Sequence, residues 1–112
     1  MSGISVSAPP IVLQGAAALP AAATLVMMLG APSRVTAATP MPLTRPGFYV
    51  ITDPGLTITL LPSAACVCIK DMVGSSTIAA SVDENAGGAR FTDPKQALTL
   101  SYSPDLATWL IF

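Results

Sequence analysis

The sequence has no histidine and very little charge. Charged side chains make up 10% of its 112 residues, five Lys or Arg against six Asp or Glu. Catalysis needs a positioned base, nucleophile or metal, and no grouping of the acidic residues provides one. Four of them, Asp53, Asp83, Asp93 and Asp105, fall in predicted turns, where Asp bonds nearby backbone amides. We therefore expect no catalytic residue and no enzyme activity.

A metal or cofactor site is not expected either. Zinc prefers four ligands, and the only cysteines are Cys66 and Cys68, with no histidine to complete a set. In a strand both would lie on one face with Cα atoms about 6.5 Å apart, near the upper limit for a disulfide. The sequence therefore predicts two buried free thiols. Lys70 and Asp71, just beyond them, are expected to form an exposed ion pair, and the alternative is a contact across a subunit interface.

Clustered positive charge is also missing. Nucleic-acid binding depends on grouped Lys and Arg that displace counterions from phosphates. The five basic residues are scattered along the chain: Arg34, Arg45, Lys70, Arg90 and Lys95. We therefore expect no direct DNA or RNA partner.

The first 33 residues carry no charged side chain and include an apolar run over 11–29. No Lys or Arg precedes the run, as a signal peptide requires. Between Gly15 and Gly30 it contains Pro20 and is shorter than the ~20 residues that cross a bilayer. The sequence predicts neither a signal peptide nor a membrane span. Whether Thr24 to Leu29 form a helix or a strand, and whether this run packs on its own domain or on a neighbour, stay open.

What the sequence does contain is apolar residues, at 52% of the chain. Ordinary soluble domains have roughly 25% charged residues, so this chain has too little charge to coat an isolated monomer. We expect part of its apolar surface to meet another chain. The protein is therefore predicted to form a homo-oligomer.

The second half of the chain has the pattern of short strands separated by turns. Leu56 to Leu60 alternates strictly, with Leu56, Ile58 and Leu60 on one face. Other strands are predicted at 48–52, 66–70, 77–82, 89–91, 97–102 and 108–112. Regular short strands of this kind are typical of an all-β antiparallel sandwich or barrel-like domain. Residues 48–112 are the predicted β-rich body, and residues 1–47 an extended apolar N-terminal arm with a Pro-rich connector.

The order of several segments in this body resembles a β-module of tailed-phage virion proteins. The segments, in chain order, are Pro46-Gly47-x-Tyr49-x-Ile51, Leu56-Thr57-Ile58-Thr59-Leu60-Leu61-Pro62-Ser63-Ala64, Ile69-Lys70-Asp71-x-x-Gly74, Leu98-Thr99-Leu100-Ser101-Tyr102-Ser103 and Trp109-x-Ile111. The resemblance covers about 65 residues. The glycine-rich stretch after Gly74 is shorter than in that module, and the apolar arm is not part of it.

The resemblance implies a phage structural protein. Such modules occur in tail fibres, in appendages and in small proteins that decorate capsids, and they commonly assemble as trimers. The expected function is a capsid decoration (cement) protein in the virion, assembled in the host cytoplasm. Its expected partners are copies of itself, as a homotrimer, and the major capsid protein or another virion protein. One alternative is a subunit of a tail or head fibre or appendage that contacts the host surface, and another is a small membrane-associated protein.

Ten apolar residues are the candidates for the subunit interface: Ile11, Val12, Leu13, Leu25, Val26, Met27, Met28, Leu29, Trp109 and Phe112. The arm residues are chosen because an uncharged extended segment can add a strand to a neighbour's sheet edge. Trp109 is expected to be an anchor in the core or the interface rather than a sugar-stacking residue.

Overall fold

The computed structural model describes residues 9–13 and 31–112. Within these ranges the chain forms nine short strands and one 3₁₀ turn, Pro62–Ala64, and no α-helix. The strands are β1 Ile11–Val12, β2 Ser33–Val35, β3 Gly47–Ile51, β4 Thr57–Ile58, β5 Cys66–Asp71, β6 Thr77–Ile78, β7 Ala89–Arg90, β8 Gln96–Ser103 and β9 Thr108–Ile111. The undecided segment Thr24 to Leu29 lies outside the described residues.

The larger sheet has five strands in the order β2-β3-β5-β8-β9. Strands β2, β3 and β5 run parallel to one another. Strand β8 lies between β5 and β9 and is antiparallel to both. One continuous row of paired residues crosses four of them: Val35, Ile51, Asp71 and Gln96.

The smaller sheet has four two-residue strands in the order β1-β7-β6-β4. Strand β4 is parallel to β6, β6 is antiparallel to β7, and β1 adds to β7 in parallel. The predicted all-β body is thus present, and the N-terminal residues 11 and 12 belong to one of its sheets.

The antiparallel arrangement expected from the turn spacing is wrong, because both sheets are mixed. After β2 and again after β3, the chain passes through the other side of the molecule, where Leu43 and Leu60 form a parallel bridge. It then returns to the larger sheet in its original direction. A chain that winds round in this way gives parallel neighbours, whereas a tight hairpin gives antiparallel ones.

One hydrophobic core lies between residues of the two sheets. The larger sheet contributes Val35, Ile51, Val67, Ile69, Leu98, Leu100 and Trp109, and the smaller sheet contributes Ile58, Ile78 and Ala89. The predicted inward face of Leu56 to Leu60 is confirmed, since Ile58 and Leu60 are buried and Leu56 packs against the core. Alternation in the larger sheet leaves a second, outer face, whose residues do not belong to this core.

Strand β2 and the buried Leu43 lie within residues 1–47, for which the sequence predicts an arm and a Pro-rich connector outside the β-rich body. The Val35 side chain is buried in the core opposite Ile51. Strand β2 and Leu43 are therefore part of the β structure.

Candidate interaction surface

The N-terminal strand β1 occupies an edge of the smaller sheet. The Ile11 amide donates to the Gly88 carbonyl at 2.9 Å, and the Leu13 amide donates to the Arg90 carbonyl at 3.4 Å. Ile11 and Leu13 pack against the core, while Val12 between them is 49% exposed. The strand is thus anchored on one side and offers an apolar side chain to solvent on the other.

Three side chains of the body also hold this segment by its carbonyl groups. Asn85 Nδ2 donates to the Pro9 carbonyl at 3.1 Å. Thr92 Oγ1 and Gln96 Nε2 both donate to the Leu13 carbonyl, at 3.1 and 3.0 Å. The body therefore has a specific set of side-chain donors that bind residues 9–13.

Gln96 links residues 9–13 to the larger sheet. Its side chain is buried at the start of β8, and its Oε1 accepts the amide protons of Thr92 and Asp93 at 2.7 and 3.0 Å. Its amide group points to the Leu13 carbonyl. This role of Gln96 could not be predicted from the sequence, because a single Gln before an apolar strand resembles any polar strand end.

A buried carboxylate forms the tight loop after β5. Asp71 is fully buried, and its two oxygens accept backbone amide protons from each of residues 73–76 at 2.9 to 3.1 Å. The exposed Lys70–Asp71 ion pair expected from the sequence is therefore wrong. The pattern Asp71-x-x-Gly74-Ser75-Ser76 is the signal that was missed, since Asp bonds to the amides that follow it in turns.

The outer edge of β9 is closed by the segment around Asp83. The Trp109 amide donates to the Ser81 carbonyl at 2.9 Å, and the Asp83 amide donates to the Trp109 carbonyl at 2.6 Å. The Asp83 carboxylate then accepts the Ile111 amide proton at 3.0 Å. Because these groups are paired, this part of β9 is not open to strand addition.

The two C-terminal candidates lie in different environments. Trp109 is 2% exposed, and its ring meets that of Tyr102 edge to face at 5.4 Å between centroids. Its indole offers no open face for a stacked ligand. Phe112, in contrast, is 60% exposed.

The ten interface candidates do not form one described patch. Ile11, Val12 and Leu13 lie on the smaller sheet, whereas Trp109 lies in the larger sheet and Phe112 just beyond its last strand. The other five lie outside the described residues: Leu25, Val26, Met27, Met28 and Leu29.

Both cysteines are free thiols on strand β5. Cys68 is buried, but Cys66 is partly exposed, so the prediction of two buried thiols holds fully only for Cys68. Burial raises the pKa of Cys66, and the neighbouring Cys68 raises it further. Burial also raises the pKa of Cys68, against a smaller opposite effect of the hydrogen bond from Thr99. Both thiols therefore keep their protons to higher pH than an ordinary cysteine does, and Cys68 is in addition closed to solvent.

Within residues 9–13 and 31–112, no three His, Cys, Asp or Glu side chains come together as a metal site. The same residues include no helix that is long and apolar enough to span a membrane.

Comparison with known proteins gives no match, because no family model, curated protein or solved structure is significantly similar to this chain.

Proposed function

We propose that this protein is a structural component of a tailed-phage virion. Its proposed role is that of a capsid decoration (cement) protein, which self-associates and stabilises the head through subunit contacts. The β-rich body would correspond to the module of the sequence resemblance. The N-terminal segment would be an apolar arm that this protein adds to the module. The trimer, the contact with the major capsid protein and the location in the virion belong to the same proposal.

The docking of residues 9–13 is the observation that carries this proposal. Residues 9–13 are fixed by main-chain bonds to β7 and by side chains of the body, yet Val12 remains exposed. Val12 thus begins an uncharged, apolar chain segment at a defined place on the molecule. Burial of apolar surface contributes about 25 cal/mol of binding free energy per Å². A cement protein needs such buried area at its contacts.

The resemblance supports the proposal in a second way, through the places that its residues occupy. Ile69 and Leu100 lie in the core of the larger sheet, Asp71 organises the loop that contains Gly74, and Trp109 anchors the last strand. The shared segments are thus the ones that hold the body together.

The appendage alternative draws on exposed aromatic residues that could meet a host surface. Trp109 is buried, and among the described aromatic residues Phe112 is the one that is largely exposed, so no exposed aromatic cluster is described. The cement role is therefore preferred.

Binding to capsids tests the proposal. Expanded capsids assembled without this protein are mixed with increasing amounts of it, and the amount that sediments with them is measured. We expect saturable binding, and we expect Val12→Asp to weaken it because it places a charge on the exposed side of β1. Leu61→Asp is the matched control, since Leu61 is 42% exposed but lies beside the 3₁₀ turn.

Absence of saturable binding would exclude the cement role. Binding to intact host cells in place of capsids would favour the appendage role. Equal loss from Val12→Asp and Leu61→Asp would show that the arm is not the specific contact.

A further inference from the structure

The outer face of the larger sheet is a surface that the proposed function does not use. In each strand it consists of the residues that alternate with the core residues. From β2 to β9 these are Arg34, Phe48, Val50, Cys66, Cys68, Lys70, Ala97, Thr99, Ser101, Ser103, Thr108 and Leu110. Phe112 continues the pattern one residue beyond β9. We call this set the outer face.

The middle of the outer face is a row of apolar and hydroxyl side chains. Phe48 pairs with Cys68, and Cys68 pairs with Thr99, whose carbonyl accepts the Phe112 amide proton at 3.0 Å. The Thr99 hydroxyl donates to the Cys68 sulfur at 3.6 Å. Cys68 and Thr99 are 1% and 4% exposed, whereas Phe48 is partly exposed and Phe112 largely so. The buried pair Cys68 and Thr99 thus lies between two aromatic residues, Phe48 on one side and Phe112 on the other.

The charges on the outer face have a single sign. Arg34 and Lys70 are its charged residues among the described strands, and they lie in one row near the start of β8. Glu84 and Asp105, both exposed, lie at the other end of the sheet, beside the start of β9 and just after β8. Asp53 and Asp93 also lie at the cationic end, but so does the exposed Lys95, so this end has three basic and two acidic side chains.

This arrangement matches a second copy of the same chain. A copy placed with its acidic end over the cationic row would bring Glu84 and Asp105 towards Arg34 and Lys70. The apolar rows of the outer face would meet apolar side chains. Charge complementarity of this kind sets orientation and speeds association.

We propose that the outer face is the surface on which a second copy of this chain docks. The inference deepens the self-association that the proposed function assumes, and it does not depend on capsid binding. From strand spacing and rise, the face measures roughly 24 by 17 Å, or about 400 Å². A standard interface buries about 800 Å² on each partner. We therefore expect self-association that depends on protein concentration.

Light scattering of the free protein over a range of concentrations tests this inference. The wild type is expected to form a defined oligomer that dissociates on dilution. Phe48→Glu should give a monomer at concentrations where the wild type is associated, because it places a charge beside the apolar centre. Leu61→Glu, an exposed apolar position away from the outer face, should leave the oligomer unchanged. Fluorescence of the buried Trp109 reports whether each variant is folded.

Lys70→Glu is the second variant, in case Phe48→Glu does not fold. It reverses one charge of the cationic row, and it should weaken association about tenfold, with less effect at high salt. A short bis-maleimide should also join two chains through the partly exposed Cys66, and Cys66→Ser should abolish that product.

A wild type that stays monomeric at all concentrations overturns the inference. That result is expected if residues 14–30 of the same chain, or another protein, occupy the face in place of a second copy. An oligomer that survives both Phe48→Glu and Lys70→Glu also overturns it. Because the contact joins the same face of both copies, it predicts a dimer, and a trimer that forms through other surfaces would overturn the inference. Self-association through this face without capsid binding would leave the inference standing and reject the cement role.

Discussion

The carboxylate of Asp71 is fully buried and accepts the backbone amide proton of Ser76 at 2.9 Å, across the loop that joins β5 to β6. The same carboxylate takes the amides of Val73, Gly74 and Ser75. The Asp71 carbonyl also accepts the Lys95 amide proton at 2.7 Å, which ties the loop to the start of β8. One side chain therefore fixes the connection between the two sheets.

Asp71→Asn should destabilise the protein strongly. An amide group in place of one carboxylate oxygen would face two backbone N–H donors that then have no acceptor. Each buried unsatisfied donor costs about 1–3 kcal/mol, so we expect a loss of about 3 kcal/mol in the free energy of unfolding. Urea denaturation followed by Trp109 fluorescence measures it. Asp105→Asn, in an exposed turn, is the control and should change stability by less than about 0.5 kcal/mol. Similar small changes in both variants would contradict the role given to Asp71.

Gly88 and Gly55 both have positive φ angles, but only Gly88 is enclosed. A Cβ on Gly88 would lie 1.9 Å from the Ile78 carbonyl oxygen, whereas a Cβ on Gly55 would meet nothing within 4 Å. Gly55→Ala should therefore cost only about 1 kcal/mol, from the left-handed backbone. Gly88→Ala must also move β6 away from the loop that leads to β7, and we expect a loss of more than about 3 kcal/mol. Chemical denaturation of the two variants side by side gives the comparison, and equal losses would show that the contact with Ile78 is relieved without cost.

The positions of the longer strands could be predicted from the sequence, but their directions could not. Alternation of apolar residues located β3, β5, β8 and β9 to within one or two residues. Periodicity reports which side chains are buried, and it says nothing about which strand lies alongside. The parallel bridge of Leu43 to Leu60 depends on how the chain winds round, and no local pattern encodes that.

Short elements and buried polar residues were the other features that the sequence hid. Strand β2 has three residues, of which Val35 alone is buried, so it is too short to show a period. Gln96 and Asp71 are polar residues that a composition-based interpretation places on the surface, yet each is buried because its partners are backbone groups. The residues that share the outer face could not be identified from the sequence, because they depend on the register of all five strands.

Gln96→Glu should release the N-terminal strand from the body. The variant keeps an oxygen for the amides of Thr92 and Asp93, but it replaces the donor to the Leu13 carbonyl by a second oxygen. Loss of this bond costs about 1–3 kcal/mol, so local opening of β1 should become roughly 10- to 100-fold more frequent. Hydrogen exchange of the Ile11 and Leu13 amides measures the opening.

The Ile69 amide in the central strand β5 is the internal reference for that experiment, and its exchange should stay slow. Faster exchange at Ile69 and Ile11 together would indicate global destabilisation. Unchanged exchange at Ile11 and Leu13 would show that the main-chain bonds, with Asn85 and Thr92, hold residues 9–13 without help from Gln96.

Alkaline pH should destabilise the protein through its thiols. Burial raises the pKa of Cys66 and of Cys68 above the ordinary value of 9.0, so the folded state keeps their protons to higher pH than the unfolded state does. Their contribution to stability is fully present below about pH 9 and is lost as the pH rises through the pKa values of the folded state. The free energy of unfolding should therefore fall as the pH rises above about 9.

A variant with Cys66→Ser and Cys68→Ala should lose less stability over that pH range than the wild type. Its decline should not vanish, because burial also raises the pKa of Tyr49 above 10.0, although Arg45 opposes this. Urea denaturation in steps from pH 7 to 11, with a reducing agent present, gives both curves. Parallel curves would show that the two thiols ionise equally well in the folded and unfolded chains, and hence that the face of β5 on which they lie is open to water.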